Sequence, residues 1–109
     1  MEIRCMVAGD FFTNCYIAWG CGPGPAVLID PADDAPGLLR LLDSLELTPE
    51  AVLLTHGHYD HILAVPGLQK RWPDLPVYCH PLDVPQALTE RDMGRTWPTV
   101  ASFANLRPL

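Results

Sequence analysis

Apolar positions in the first thirty residues come in short runs separated by polar turns. Glu2 to Val7 mixes apolar and polar side chains with strand character, and Asn14 to Trp19 repeats the pattern. Gly20-Cys21-Gly22-Pro23-Gly24-Pro25 is a dense turn signal. Ala26 to Ile29 forms a third apolar run, closed by Asp30-Pro31. Three short strands joined by turns predict an antiparallel meander. The period then changes. Leu38, Leu39, Leu41, Leu42 and Leu45 gather on one side of a helix predicted over Ala35–Leu45, with Asp33 and Asp34 near its start, where acidic groups suit the helix dipole. These leucines read as core.

Thr48-Pro49-Glu50 reads as a turn into a buried strand, Ala51–Leu54. A second helix is predicted over Ile62–Trp72, with Pro66 and Gly67 displacing its start or kinking it. Pro76–Cys79 is a further short strand, and Leu82–Leu88 at most a short helix. From Thr89 the pattern fades, so residues 90–109 are expected to form a poorly defined tail of one domain spanning 1–109. A meander followed by helix, strand, helix and strand predicts a mixed α/β sheet.

Composition adds limits. With 109 residues, 49% hydrophobic and 18% charged, the chain suits one small globular domain. A net charge of −6 with few, scattered basic residues argues against nucleic acid. No apolar run approaches a membrane span and no secretory signal is visible, which predicts a cytoplasmic protein with no membrane partner. Cys5 and Cys15 lie in apolar stretches and read as buried, whereas Cys21 sits in the Gly/Pro turn; without secretory context or a C-x-x-C pair, neither disulfides nor a cysteine zinc site is expected.

The segment Thr55-His56-Gly57-His58-Tyr59-Asp60-His61 carries the chemistry. It places three imidazoles and a carboxylate within six positions, directly after an apolar strand. A histidine-rich polar turn would explain one such residue but not the set. Imidazole and carboxylate are ligands for zinc, manganese and iron. His56 and His58 alternate in an extended loop and can face one point, while Asp60 and His61, at the start of the next helix, can face a neighbouring point. One loop can thus serve two metals about 3.5–4 Å apart, a known hydrolytic arrangement.

This motif resembles the signature of the metallo-β-lactamase superfamily. Asn14-Cys15-Tyr16-Ile17, Leu28-Ile29-Asp30-Pro31 and Val77-Tyr78-Cys79-His80 resemble, in order, further segments of its glyoxalase II-like (hydroxyacylglutathione hydrolase-like) members. The resemblance covers residues 1 to about 85. It implies an αββα sandwich of two facing mixed sheets with helices outside, of which this chain is expected to hold the N-terminal half. By resemblance, His56 and His58 ligate the first metal and Asp60 and His61 the second, with two zinc ions in a complete site, or manganese or iron. Asp60 also orients the attacking water, and Asp30 holds the motif loop through hydrogen bonds.

Two departures stand out. Leu63 replaces a glycine common in relatives, and the chain has about half their usual length. Relatives' second halves supply a third histidine, a bridging aspartate and a final histidine. His80, outside the motif and before Pro81, is expected at the surface. The resemblance therefore implies a thioester or ester hydrolase that is inactive alone. It also implies association, either with a missing C-terminal half or as a homo-oligomer, because a half-sandwich leaves a sheet face uncovered. The alternative is an inactive remnant or interaction module with residual metal binding.

Overall fold

In the computed structural model, residues 1–9, 12–55, 61–80 and 105–108 are described. Six strands form one sheet in sequence order, with two helices: β1 (Glu2–Ala8), β2 (Thr13–Trp19), β3 (Gly24–Ile29), α1 (Ala35–Ser44), β4 (Leu47–Leu53), α2 (Val65–Arg71), β5 (Val77–Cys79) and β6 (Leu106–Pro108). The expected meander is present, since β1, β2 and β3 pair antiparallel. From β3 onward the pairing is parallel, so the sheet is mixed.

Period-2 alternation divides the sheet into two unlike faces. Ile17, Leu28, Val52 and Val77 stand in register across four strands, and all are fully buried. Both helices pack on this face through Leu38 and Leu42 of α1 and Val65 and Leu68 of α2. Leu39, Leu41 and Leu45 lie partly buried at the margin of the same cluster. The opposite face carries two registered rows. One is Cys5, Tyr16, Ile29, Leu53 and Tyr78, continuing to Arg107; the other is Ile3, Ala18, Val27 and Ala51. Here Ile3 is 64% and Val7 55% exposed, and neither described helix covers the face.

The helix ends follow local chemistry. Asp34, at φ 55°, caps α1 by accepting a hydrogen bond from Gly37 N at 3.1 Å. Pro66 lies in the first turn of α2, where its missing N–H costs no helical bond, so α2 starts at Val65 rather than Ile62. A Cβ on Gly67 would lie 2.6 Å from Ala35 Cβ, so this glycine lets the two helices approach closely. At the far ends of the helices, Arg71 forms a two-pronged pair with Asp43, with N–O distances of 2.9 and 2.7 Å. That pairing holds the Asp43 carboxyl below its usual range.

Three details differ from the sequence reading. Thr48-Pro49-Glu50 belongs to β4 rather than to a turn. β5 pairs with β4 only from Val52, so Pro49 sits where the strand has β3 as its sole neighbour, and a register shift at Ala26/Val27 accommodates it. β6 adds a three-residue strand within the expected tail. Cys5 is exposed because β1 is an edge strand and Cys5 points to the open face; Cys15 is buried as expected. The helix expected at Leu82–Leu88 lies outside the described residues. Among the described residues no helix is long and apolar enough to cross a membrane.

Candidate functional site

The histidine motif begins where β4 ends. Val52 and Leu54 are buried, and backbone bonds from Val52 N to Pro76 O and from Leu54 N to Tyr78 O fix the strand end against β5. Thr55 then leaves the sheet, and His61 opens the approach to α2. His56, His58 and Asp60, expected to converge with His61, lie outside the described residues.

Both flanks are held by one short segment, residues 30–32. Asp30 closes β3 and is only 5% exposed, with its N–H bonded to Leu53 O at 3.0 Å. Its backbone adopts φ 53°, a left-handed conformation that aspartate tolerates better than most residues but at some cost. That conformation coincides with a carboxylate aimed at the end of β4. Asp30 Oδ1 accepts a bond from Thr55 N at 2.7 Å, and Asp30 Oδ2 accepts one from Thr55 Oγ1 at 2.5 Å. On the other flank, His61 Nδ1 stands 3.1 Å from the same Oδ2. Pro31 and Ala32 complete the clamp by accepting bonds from Ala64 N and Leu63 N, both at 3.1 Å.

Asp30 therefore holds the motif loop through hydrogen bonds, as the resemblance implied. The carboxylate oxygen facing Nδ1 fixes the orientation of the His61 ring. Where a histidine does ligate a metal, a carboxylate behind the ring is a common way to fix its orientation and basicity. Thr55, part of the motif but given no role from sequence, anchors the loop with both backbone and hydroxyl. Its signal was its position directly after the strand. His80 is exposed at the end of β5, as expected.

Near this end Cys15 of β2 points into the core, and burial pushes its thiol up to about 12, so it is neutral at physiological pH and no nucleophile. Leu63, at the position where relatives often have glycine, is half-buried and uses its N–H in the clamp.

Known proteins resemble this chain in sequence and fold. An uncharacterised protein of Mycobacterium tuberculosis is 44% identical over 84 residues, covering 76% of this chain and 37% of that protein. A hydroxyacylglutathione hydrolase of Xylella fastidiosa (strain M12) is 45% identical over 84 residues, covering 76% of this chain and 31% of the hydrolase. The chain thus spans about a third of the length of the curated relatives it matches. Among solved structures, TTHA1623 in a di-iron-bound form superposes with a TM-score of 0.75 at 40% identity, covering 97% of this chain and 53% of that one. BLEG-1 B3 metallo-beta-lactamase gives a TM-score of 0.75 at 32% identity over the same shares. The single mixed sheet with helices on one face is the N-terminal half of the αββα sandwich of these proteins. With its sheet superposing on these structures and residues 8–101 matching the family, the chain belongs to the metallo-beta-lactamase superfamily.

Proposed function

We propose that this chain carries one half of the active site of a metal-dependent thioester hydrolase acting on hydroxyacylglutathione-type substrates. The single observation that carries the reading is the clamp of Asp30 on Thr55 and His61, the two ends of a segment whose sequence offers His56, His58 and Asp60 as further potential ligands. The likeness to a hydroxyacylglutathione hydrolase supports the choice of thioester over other hydrolytic substrates.

The donor set fits a borderline divalent metal. His56 and His58 would hold one ion, and Asp60 and His61 a second; zinc, manganese or iron all suit imidazole and carboxylate. Such metals, when bound, lower the pKa of a coordinated water and polarise the substrate carbonyl. This chain's own residues prepare that chemistry. Asp30 orients His61 and, through Thr55, sets where the loop leaves the strand. Asp60 would accept a hydrogen bond from the attacking water and aim it at the thioester carbon. The water oxygen would bond to that carbon as the carbon–sulfur bond breaks, glutathione would leave as its thiolate, and the protons of the water would pass to solvent. Zinc, manganese or iron is unassigned by this donor set, because all three accept it.

Two ligands per metal fall short of the three or four protein groups of a stable site. The isolated chain is therefore expected to bind metal weakly and to turn over S-lactoylglutathione at a trace rate. A second reading, a non-catalytic module with residual metal binding, is favoured for the isolated chain by its match to only about a third of each curated relative.

Metal titration and thioester hydrolysis by the purified chain, with and without a separately produced C-terminal half of a relative, test the reading. Hydrolysis that appears only on mixing and is lost in His58→Ala supports it. A mixture that cleaves phosphodiesters or β-lactams but not thioesters overturns the substrate class. A chain that binds no zinc, manganese or iron in any mixture overturns the site.

A further inference from the structure

We propose that His80 is a specificity-determining residue that hydrogen-bonds the hydroxyl group of a hydroxyacyl thioester. The assignment rests on the hydrolase reading above and names the part of the substrate that this chain recognises.

Its basis is a juxtaposition at one edge of the sheet. The parallel strands β3, β4 and β5 finish at the same edge, and just past their ends stand Asp30, Thr55 and His80. In the register of β4 with β5, Val52 pairs with Val77 and Leu53 with Tyr78, and Leu54 N bonds to Tyr78 O at 2.8 Å. Carried on, this register sets Thr55 level with His80, one strand spacing of about 4.8 Å apart. Alternation also runs through both ends. Leu54 and Cys79 are buried in the core, whereas Thr55 and His80 are exposed. His80 precedes Pro81, which disfavours helical backbone at His80 and favours an extended one. Thr55 and His80 thus lie on the same side of the sheet, away from the two helices. Asp30 fixes Thr55 where the motif begins and His61 where it ends, so His80 stands one strand from the fixed start of the motif. Ligands of open parallel sheets bind outside the carboxyl ends of the strands, which is where this row lies.

The chemistry of the side chain selects the group it meets. His80 comes from a different strand than the motif, and its neighbours in the chain, Cys79 and Pro81, offer no companion ligand: Cys79 is buried in the core and proline has no donor atom in its side chain. An imidazole donates from one nitrogen and accepts at the other, and a hydroxyl matches both. In a hydroxyacyl thioester that hydroxyl sits on the carbon next to the reacting carbonyl, close to the motif. The carboxylates of glutathione lie much farther along the chain from the sulfur. A site that bonds a substrate hydroxyl discriminates against the analogue lacking it, because its own polar group is then left unpaired.

Two thioesters that differ only at this hydroxyl, S-lactoylglutathione and S-propanoylglutathione, provide the test. In the mixture with the C-terminal half of a relative, His80→Ala should lower kcat/KM for the lactoyl thioester about tenfold. The value for the propanoyl thioester should change less than about twofold, and zinc affinity should stay the same. His80→Gln, whose amide also donates and accepts, should recover most of the loss. Equal losses on both thioesters, or no loss on either, overturn the assignment. A mixture that hydrolyses neither thioester overturns the hydrolase reading, and the imidazole signal of His80 then decides separately. That signal, identified by its absence in His80→Gln, is followed in proton–carbon NMR spectra of the chain with excess zinc. It should shift on adding S-lactoylglutathione and not on adding S-propanoylglutathione. A signal that moves with both, or with neither, overturns the proposal.

Discussion

Asp30 and Thr55 are separated by 25 positions in the chain, yet the aspartate takes both the backbone N–H and the hydroxyl of the threonine, one on each carboxylate oxygen. This couples the end of β3 to the end of β4 beyond the last backbone pair. Charge-assisted hydrogen bonds of this kind contribute about 1.5–3 kcal/mol each, and alanine in the left-handed conformation of Asp30 costs about 1 kcal/mol more. Asp30→Ala is expected to destabilise the fold by about 4–7 kcal/mol in urea unfolding. Asp30→Asn, which tolerates the same φ and keeps one acceptor, should lose about half as much. Equal losses in the two variants would mean that the carboxylate geometry is not what matters.

Metal affinity separates the motif from its surroundings. In calorimetric titrations with zinc, His56→Ala and His61→Ala should abolish or greatly weaken binding, while His80→Ala leaves it unchanged. Asp30→Asn should weaken binding by about 10–100-fold through His61 without removing a ligand. If His80→Ala matches His56→Ala, the exposed histidine is part of the site.

Gly67→Ala tests the contact between the helices. The added methyl would press on Ala35 at 2.6 Å, and the helices must separate to admit it. Thermal or urea unfolding should register a loss of about 1–3 kcal/mol, even though alanine favours helix over glycine by about 1 kcal/mol. A stabilised variant would show that α1 and α2 have room to move apart.

The cysteines predict a pH dependence. With its thiol pushed from 9.0 to about 12 by burial, Cys15 stays protonated in the folded chain where the unfolded chain ionises. Its contribution is intact below about pH 9 and falls as the pH rises from 9.0 toward 12. Cys15→Ala should flatten stability over that window, and a thiol reagent at pH 8 should modify the exposed Cys5 and Cys21 but not the buried Cys15 and Cys79. Rapid labelling of all four would show that the core opens.

Much of the fold was legible because burial is periodic. Leu38 and Leu42 announced the buried side of α1, and the runs around Ile17 and Leu28 announced a sheet. What escaped depends on neighbours. Pro49 reads as a turn until it is known that β4 lacks a second partner at that level. Leu106–Pro108 has no alternation of its own and is a strand only because β5 pairs with it. Gly67 looked like a weakness in a helix, whereas Ala35, 32 residues earlier, explains it. At the site, the motif was evident from composition alone and Asp30 from resemblance. The anchoring role of Thr55 required the positions of two strand ends at once.

The clamp at residues 30–32 has a consequence for how this loop can change. Thr55 is tied on one side and Leu63 and Ala64 on the other, all to neighbouring groups of a single segment. Thr55 and Leu63 are therefore two fixed posts whose separation is set by the sheet and not by the sequence between them. On the proposed function, substitutions between the posts would exchange ligands while the ends stay tied, whereas a one-residue insertion or deletion would have to be absorbed between them. The stretch would then behave as a cassette, open to exchange of metal preference at constant length.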